Sequence, residues 1–419
     1  MWPVVDRVGK RAIVALLAGV ALCGDVLAES RKDRAIAERS SGQAGKNDDA
    51  ALGSLTLDSV NAATFLAPPK QIKRKGRAGR GKAASPDPLL LKAQILLARA
   101  RFSPGAFDAR DGKNFRGALA AFAQDRGLAA TKTLNQEIFD ALQSGGGDPV
   151  LIDYTVTEAD VSGPFAETIP RKMEEQADLK ALDYTSAREM LAERFHMSQD
   201  LLAALNPGSS FDKAGVTIVV AAVPAMERGK PTGQGKARAK SQGTGQAKNE
   251  SRDAAKASDK PDVKSGDEPR PEGRPTEQDR PVVTRIEVDK ASRQVRAFDR
   301  EGKLRAFYPA SIGSKEKPAP SGSAKVETVA YEPTYTYDPK YAFKGVKATE
   351  KFMLQPGPNN PVGLVWIDLS IPSYGIHGTP DPEKVGKTES HGCIRLTNWD
   401  VRDLAMMVER GAKVEFKDE

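Results

Sequence analysis

Long apolar runs are scarce in this chain. The main one, Ala12–Cys23, holds about 12 residues, whereas a membrane-spanning helix needs roughly 20. Arg7, Lys10 and Arg11 precede the run and the small-residue stretch DVLAES follows it, which is typical of a signal peptide cleaved after Ala28. We therefore predict a signal peptide over residues 1–28 and an exported, periplasmic protein. A retained anchor is the alternative.

Cysteine is nearly absent as well. The chain has two cysteines in 419 residues, Cys23 and Cys393, and cleavage after Ala28 leaves only Cys393. An intramolecular disulfide is thereby excluded, although exported compartments favour disulfides. Cys393 is then expected to form a disulfide with another chain, to be a buried inert thiol, or to be reactive.

Aromatic residues are missing from residues 226–279, which are almost entirely charged residues, Gly, Pro, Ser, Gln and Ala. Such a segment lacks the apolar surface that offsets the entropy lost on folding. We predict a flexible linker over residues 226–281 that separates two N-terminal modules from a C-terminal domain. Residues 29–85 are also polar and aperiodic, which predicts a disordered tether.

Acidic residues are outnumbered: 63 Lys and Arg face 56 Asp and Glu, for a net charge of +7. A basic balance suggests an anionic partner. For an exported protein, an acidic polymer of the cell envelope fits better than nucleic acid. Much of the positive charge lies in low-complexity stretches such as KQIKRKGRAGRGK, so it can belong to tails and not to a site.

Residues 86–146 carry three amphipathic helical patterns. They lie in PDPLLLKAQILLARARF, NFRGALAAFAQDRGL and TLNQEIFDALQ. Gly127 is the predicted stop of the second helix, and Thr133 or Asn135 the cap of the third. The segment resembles the peptidoglycan-binding domain 1 family, a three-helix module that anchors proteins to the cell wall. Ala109 stands where that family usually has Gly.

Residues 147–225 are predicted to form a second small module. The stretch LDYTSAREMLAERFHMSQDLLAALNPG, followed by VTIVVAAVP, indicates a strand, two helices and a strand. This order resembles a diverged LysM domain, a βααβ fold that holds GlcNAc-containing glycans. His196 lies on the polar side of the module, where a surface or packing role is more typical than a ligand role.

From Val282 onward, alternating apolar and polar residues predict a mainly β domain over residues 282–419. Glu301 and Gly302 mark a hairpin turn, and further strands are predicted at AKVETVA, VWIDLS and YGIHGT. A helix is expected after CIRL, capped by Thr397 or Asn398 and stopped by Gly411.

Two of the chain's three histidines, His377 and His391, shortly precede Cys393. A neighbouring histidine base raises the thiolate fraction of a cysteine. Gly392 permits unusual backbone conformations, so that N–H groups there can face an oxyanion. Arg395 is two residues after Cys393, so it shares the face of Cys393 if the strand continues, and it can hold a carboxylate. Three alternatives remain: a buried inert thiol, a zinc site formed by His377, His391 and Cys393, and an intermolecular disulfide.

The stretch YGIHGTPDPEKVGKTESHGCIRL resembles the signature of YkuD-type L,D-transpeptidase catalytic domains. In that family a histidine and a spacer precede Ser/Thr-His-Gly-Cys, a hydrophobic residue and Arg or Asn. PAPSG and GPNNPVG resemble further family segments, so the resemblance covers residues 282–418. It implies a β-sandwich-like catalytic domain within a multidomain protein, without metal or cofactor.

Transferred by position, the resemblance makes Cys393 the nucleophile, His377 the general base and His391 a residue that orients the site. The remaining residues of the motif are expected to contact the substrate, namely Ser390, Gly392, Arg395 and Gly378.

The implied reaction is acyl transfer between peptidoglycan stem peptides. Cys393 attacks the carbonyl before the terminal D-Ala of a tetrapeptide stem, and the amine of a second stem then resolves the thioester into a 3–3 cross-link. Water as acceptor gives L,D-carboxypeptidase action, and an envelope protein as acceptor becomes anchored to the wall. Carbapenem-type β-lactams are the expected covalent inhibitors. In this picture the two modules hold the enzyme on the polymer and the linker widens its reach. A wall-binding scaffold without activity is the alternative of another class.

Overall fold

The computed structural model describes residues 55–65, 86–129, 131–231, 280–314, 317–341, 346–389 and 392–418. The predicted signal peptide, most of the predicted tether and residues 232–279 of the predicted linker lie outside the described residues. So do Ser390 and His391. Within these ranges, no helix combines the length and the apolar character that crossing a membrane requires.

The described part of the chain has nine α-helices: α1 Leu57–Asn61, α2 Pro88–Arg99, α3 Lys113–Asp125, α4 Gln136–Gly146, α5 Glu158–Val161, α6 Met173–Gln176, α7 Ala187–Arg194, α8 Gln199–Leu205 and α9 Asn398–Met407. The strands are β1 Leu151–Thr155, β2 Thr217–Ala221, β3 Val283–Asp289, β4 Gln294–Phe298, β5 Leu304–Pro309, β6 Ser311–Ile312, β7 Gly322–Tyr331, β8 Tyr335–Tyr337, β9 Phe352–Leu354, β10 Val365–Leu369, β11 Gly375–His377, β12 Ile394–Arg395 and β13 Val408–Lys417.

Helices α2, α3 and α4 occupy the three segments where helices were predicted. Asn135 caps α4, because its side chain accepts a hydrogen bond from the Ile138 amide at 2.9 Å. Gly127 follows the end of α3 with a φ of +67°, as a helix stop requires. Ala109 is buried at a φ of +57°, in the left-handed region that favours glycine.

The prediction of a disordered tether is wrong for residues 55–65. These residues contain α1, which Thr56 caps through its side chain. Val60 is fully buried in the same core as α2. The Asn61 side chain binds β1, accepting hydrogen bonds from the Val150 and Leu151 amides. This short stretch has too few apolar residues to show a helical periodicity in the sequence. Leu55 and Val60 are nevertheless buried in the hydrophobic core that contains residues of both modules.

In the second module, helices α7 and α8 lie where predicted, but the first strand does not. The strand that pairs antiparallel with β2 is β1, some thirty residues before the predicted one. The backbone of Leu182, in the predicted strand, instead donates to Pro356 O and accepts from Asn359 N. These partners lie in a loop of the C-terminal domain, which explains why local sequence does not reveal them. His196 is a packing residue, stacked on Trp399 with ring centroids 5.1 Å apart.

The C-terminal domain is mainly β, as predicted. Nine strands form one sheet in the order β5-β4-β3-β13-β7-β10-β11-β12-β6. Its two edge strands, β5 and β6, follow each other directly along the chain, so the sheet is nearly closed. Strand β7 joins the two halves of this sheet, because residues 322–325 pair with β13 and residues 326–331 pair with β10.

Helix α9 begins as predicted, with the Thr397 side chain as cap. Gly411 does not stop it, because α9 ends at Met407 and β13 begins at the next residue. Gly411 has a φ of +86° and lies within the shift of register between Val408 and Lys413 in the pairing of β13 with β3. The backbone there bulges out of the ladder, for which glycine is suited.

The predicted separation of the N-terminal modules from the C-terminal domain is also wrong. Phe307 of β5 donates a hydrogen bond to Arg101 O at 2.8 Å and accepts one from Ser103 N at 2.9 Å. The Phe307 side chain is fully buried in the core of the modules. The turn after α2 thus covers the edge of the sheet, an edge that would otherwise expose unpaired backbone groups.

Candidate active site

Strands β10, β11 and β12 bring the predicted site residues to one face of the sheet. His377 is opposite Trp366 on β10 and opposite Arg395 on β12. Cys393 directly precedes β12 and lies two residues before Arg395. The Gly375 amide donates a hydrogen bond to the Cys393 sulfur. Arg395 lies close enough to both His377 and Cys393 to affect the pKa of each.

The His377 ring is held in one orientation. Its Nδ1 lies 2.7 Å from Gly378 O, so Nδ1 carries the hydrogen and Nε2 is the basic nitrogen. The ring also stacks on Trp366, with centroids 5.4 Å apart and planes 18° apart. Burial, helped by the positive charge of Arg395, lowers the pKa of His377 to about 3. The imidazole is therefore neutral at neutral pH.

Burial also raises the pKa of Cys393, against the opposing effects of the Gly375 amide and the Arg395 charge. Both pKa shifts favour a neutral thiol beside a neutral imidazole over a thiolate–imidazolium pair. The sequence-based expectation was a thiolate maintained by the histidine. A neutral pair instead requires the proton to leave the sulfur when the sulfur attacks.

We expect the alkylation rate of Cys393 by iodoacetamide to rise about tenfold per pH unit from pH 7 to 9, because the thiolate is the nucleophile and its pKa is raised. Since the pKa of His377 is about 3, no step should occur near pH 6.5. Mass spectrometry of the Cys393 peptide measures the rate. A rate that is flat between pH 6 and 8 would show a thiolate at rest.

Arg395 lies next to this pair and is largely buried. Burial lowers its pKa, while the negative charges of Asp381 and the Cys393 thiolate act in the opposite direction. Its Nε is buried and has no hydrogen-bond partner among the described residues. A buried guanidinium N–H without a partner is costly, and a carboxylate of a ligand would satisfy it.

Residues 283–416 match the family model of the L,D-transpeptidase catalytic domain, YkuD. This segment is an L,D-transpeptidase catalytic domain. The YkuD protein of Bacillus licheniformis is 48% identical to the chain over 62 residues, which cover 15% of this chain and 38% of that protein. The YbiS protein of Escherichia coli K12 is 36% identical over 114 residues, which cover 26% of this chain and 37% of YbiS. The chain thus spans less than two fifths of either relative.

Among solved structures, L,D-transpeptidase 3 from Mycobacterium tuberculosis is 19% identical to this chain, with a TM-score of 0.27. The match covers 33% of this chain and 62% of that chain. A structure of the transpeptidase LdtMt1 contains imipenem; it is 18% identical, with a TM-score of 0.25, over 32% of this chain and 57% of that chain.

Two tyrosines near the sulfur of the transpeptidase domain were not predicted. The negative charge of the Cys393 thiolate contributes to raising the pKa of both Tyr335 and Tyr374, after burial. The Tyr374 hydroxyl donates a hydrogen bond to Gly392 O and so supports Gly392, whose φ is +126°. Tyr374 directly precedes the stretch Gly375–His377. This closeness to His377 in sequence is the one local feature that could have indicated Tyr374. Tyr335 reaches the site from β8, and no local pattern indicates it.

Gly378 is buried, and a Cβ there would lie 2.2 Å from Asn398 Oδ1. Gly378 therefore has a packing role in the structure, and its substrate contact stays a prediction. Ser390 and His391 lie outside the described residues, so their roles remain predictions.

The spacer between His377 and Cys393 contacts the N-terminal modules. Asn114 Nδ2 donates to Val385 O at 2.8 Å, and the Gln199 amide donates to Glu383 Oε1 at 3.1 Å. Lys387 lies 3.8 Å from the Asp108 carboxylate. The segment that joins the two predicted catalytic residues is therefore held by residues outside the transpeptidase domain.

Proposed function

We propose that this protein is a cysteine-dependent peptidoglycan L,D-transpeptidase that forms 3–3 cross-links through a thioester on Cys393. The observation that carries the proposal is the pairing of β11 with β12. His377, a neutral imidazole with a basic Nε2, is opposite the buried guanidinium of Arg395, and the Cys393 thiol directly precedes the paired stretch. Together these groups form a nucleophile, a base and a carboxylate-binding cation, which is what acyl transfer from a peptide needs.

In the first step, Cys393 Sγ attacks the carbonyl carbon before the terminal D-Ala, and its proton passes to His377 Nε2. The C–N bond then breaks, and the D-Ala nitrogen leaves with that proton. In the second step, the side-chain amine of another stem attacks the thioester carbon and gives a proton to Nε2. The C–S bond breaks and the thiol is restored. One amide replaces another, so no oxidant, metal or cofactor is required.

Arg395 is proposed to bind the carboxylate of the donor stem. Arg395→Ala is expected to raise KM for a tetrapeptide stem about tenfold or more, the value of a charged hydrogen bond. Arg395→Lys should recover part of that loss. A donor stem with an amidated terminal carboxylate is the control. If both donors weaken equally in Arg395→Ala, the guanidinium does not bind this carboxylate.

His391, two residues before Cys393 in the sequence, is proposed to orient the site, and Ser390 to contact the stem. The acceptor is proposed to be a second stem, with water or an envelope protein as alternatives that share the same thioester. The two N-terminal modules are proposed to bind the wall in the periplasm, in keeping with the families they resemble. Sedimentation of the full chain with purified sacculi tests that binding.

The decisive experiment incubates the full chain with purified disaccharide-tetrapeptides and identifies the products by mass spectrometry. We expect 3–3 linked dimers, released D-Ala and a transient acyl adduct on the Cys393 peptide. A carbapenem should form a stable adduct at the same residue. Protein alkylated beforehand at Cys393 serves as the control. Wall binding without any adduct or product would instead support the scaffold without activity.

A further inference from the structure

Asn398, the first residue of α9, is fully buried and connects two backbone segments of the site. Its Oδ1 accepts hydrogen bonds from Leu364 N at 3.1 Å and Thr379 N at 3.2 Å. Leu364 is two residues before Trp366, on which the His377 ring stacks. Thr379 is two residues after His377. One amide oxygen thus holds two backbone segments next to His377: the one that leads to Trp366 and the one that follows His377.

The space around this oxygen is tight. A Cβ at Gly363 would lie 2.1 Å from Asn398 Oδ1, and a Cβ at Gly378 would lie 2.2 Å from it. The two glycines therefore allow the backbone to close around the amide oxygen. Small displacements of the Asn398 side chain must move one of these segments, because a packed interior leaves little room.

The other end of the amide binds a residue of the second module. Asn398 Nδ2 donates to Glu193 Oε2 at 2.9 Å, with Pro358 O farther away at 3.4 Å. Glu193 belongs to α7 and is only 3% exposed. An asparagine amide has distinct donor and acceptor ends, so an acceptor at Nδ2 keeps Oδ1 directed toward Leu364 and Thr379.

We propose that Glu193 is a positioning residue of the transpeptidase site, which acts through Asn398 on the backbone around His377. The activity test of this inference rests on the proposed function. It makes the second module a structural part of the catalytic unit, in addition to any binding of the wall.

The surroundings of Glu193 agree with this role. Burial, together with the negative charge of Glu189, raises its pKa to about 8, against the hydrogen bonds from Asn398 and Tyr184. The group is therefore mainly a neutral acid at pH 7 and accepts the Asn398 hydrogen bond without a buried charge. A glutamine at this position offers the same shape, the same acceptor and no charge.

The test compares Glu193→Met with Glu193→Gln in the full chain. Methionine matches the volume and lacks the oxygen acceptor, whereas glutamine retains it. In the transpeptidase assay, Glu193→Met should lower kcat about tenfold, the effect of one buried hydrogen bond, with KM changed less than twofold. Glu193→Gln should stay within about twofold of the wild type. Glu167→Met, at an exposed position of the same module, is the control.

A second readout does not depend on activity. Hydrogen exchange of peptides that contain Leu364 and Thr379 should be about tenfold faster in Glu193→Met, and unchanged in the other two variants. Absence of turnover in the wild type would overturn the proposed function, while the exchange data would still decide the role of Glu193. Exchange in Glu193→Met at the wild-type rate would overturn the positioning role. So would an equal loss of activity in Glu193→Gln and Glu193→Met.

Discussion

Replacing Cys393 with alanine is expected to lower 3–3 cross-linking by about 10⁴-fold or more, the scale on which enzymes lose activity with their nucleophile. The acyl adduct and the carbapenem adduct should both disappear, since both need the sulfur. Product formation by mass spectrometry and the intact mass of the protein are the measurements.

The variant should remain folded, because Cys393 is only half-buried and its sulfur is a small part of the core. Its melting temperature should therefore stay within a few degrees of the wild type. Cross-linking above one hundredth of the wild-type rate in a folded Cys393→Ala protein would show that the reaction does not need a thioester on Cys393.

Separation of the N-terminal modules from the transpeptidase domain is expected to destabilise the transpeptidase domain strongly, so the two parts should stay together when the linker is cut. A chain of residues 280–419 would expose the Phe307 side chain, and the Phe307 N–H and C=O would lose their partners Arg101 O and Ser103 N. Asp400, which is buried and accepts a hydrogen bond from Ser103 Oγ at 2.9 Å, would lose that partner. Exposing the Phe307 side chain costs about 1.5–3 kcal/mol, and each hydrogen bond exchanged for one to water costs about 0.5–1.5 kcal/mol. Together these losses are a large share of the whole stability of a domain, about 5–15 kcal/mol.

The measurement is cleavage of the intact protein at a protease site inserted within residues 240–270, followed by gel filtration. The two pieces should elute together and keep the melting temperature of the uncut chain. An uncut chain with the same insertion is the control. If the pieces separate and the C-terminal piece is folded and active, the catalytic domain is independent of the modules, as the sequence analysis predicted.

Local sequence was sufficient to predict which residues form the candidate site, but not whether the side chains of His377 and Cys393 are charged. The resemblance of the stretch around His377, Gly392 and Cys393 to the YkuD-type signature implies acyl-transfer chemistry, whatever the arrangement of the strands. The neutral resting pair could not be predicted, because both pKa shifts arise mainly from burial. Burial depends on the elements that cover the sheet, and these elements come from distant parts of the chain.

The sequence by itself determined the three helices α2–α4, the alternating strands of the C-terminal domain and the candidate residues of the proposed site. These features follow from short-range periods, caps, turns and one motif, all of which lie within about twenty residues of each other. Tertiary structure alone decided that β1 pairs with β2, that the modules cover the sheet edge at Phe307, and that Glu193 reaches Asn398. The last of these contacts joins residues 205 positions apart. No local pattern records such a contact, because its energy comes from burial and hydrogen bonds that exist only once both segments have folded together.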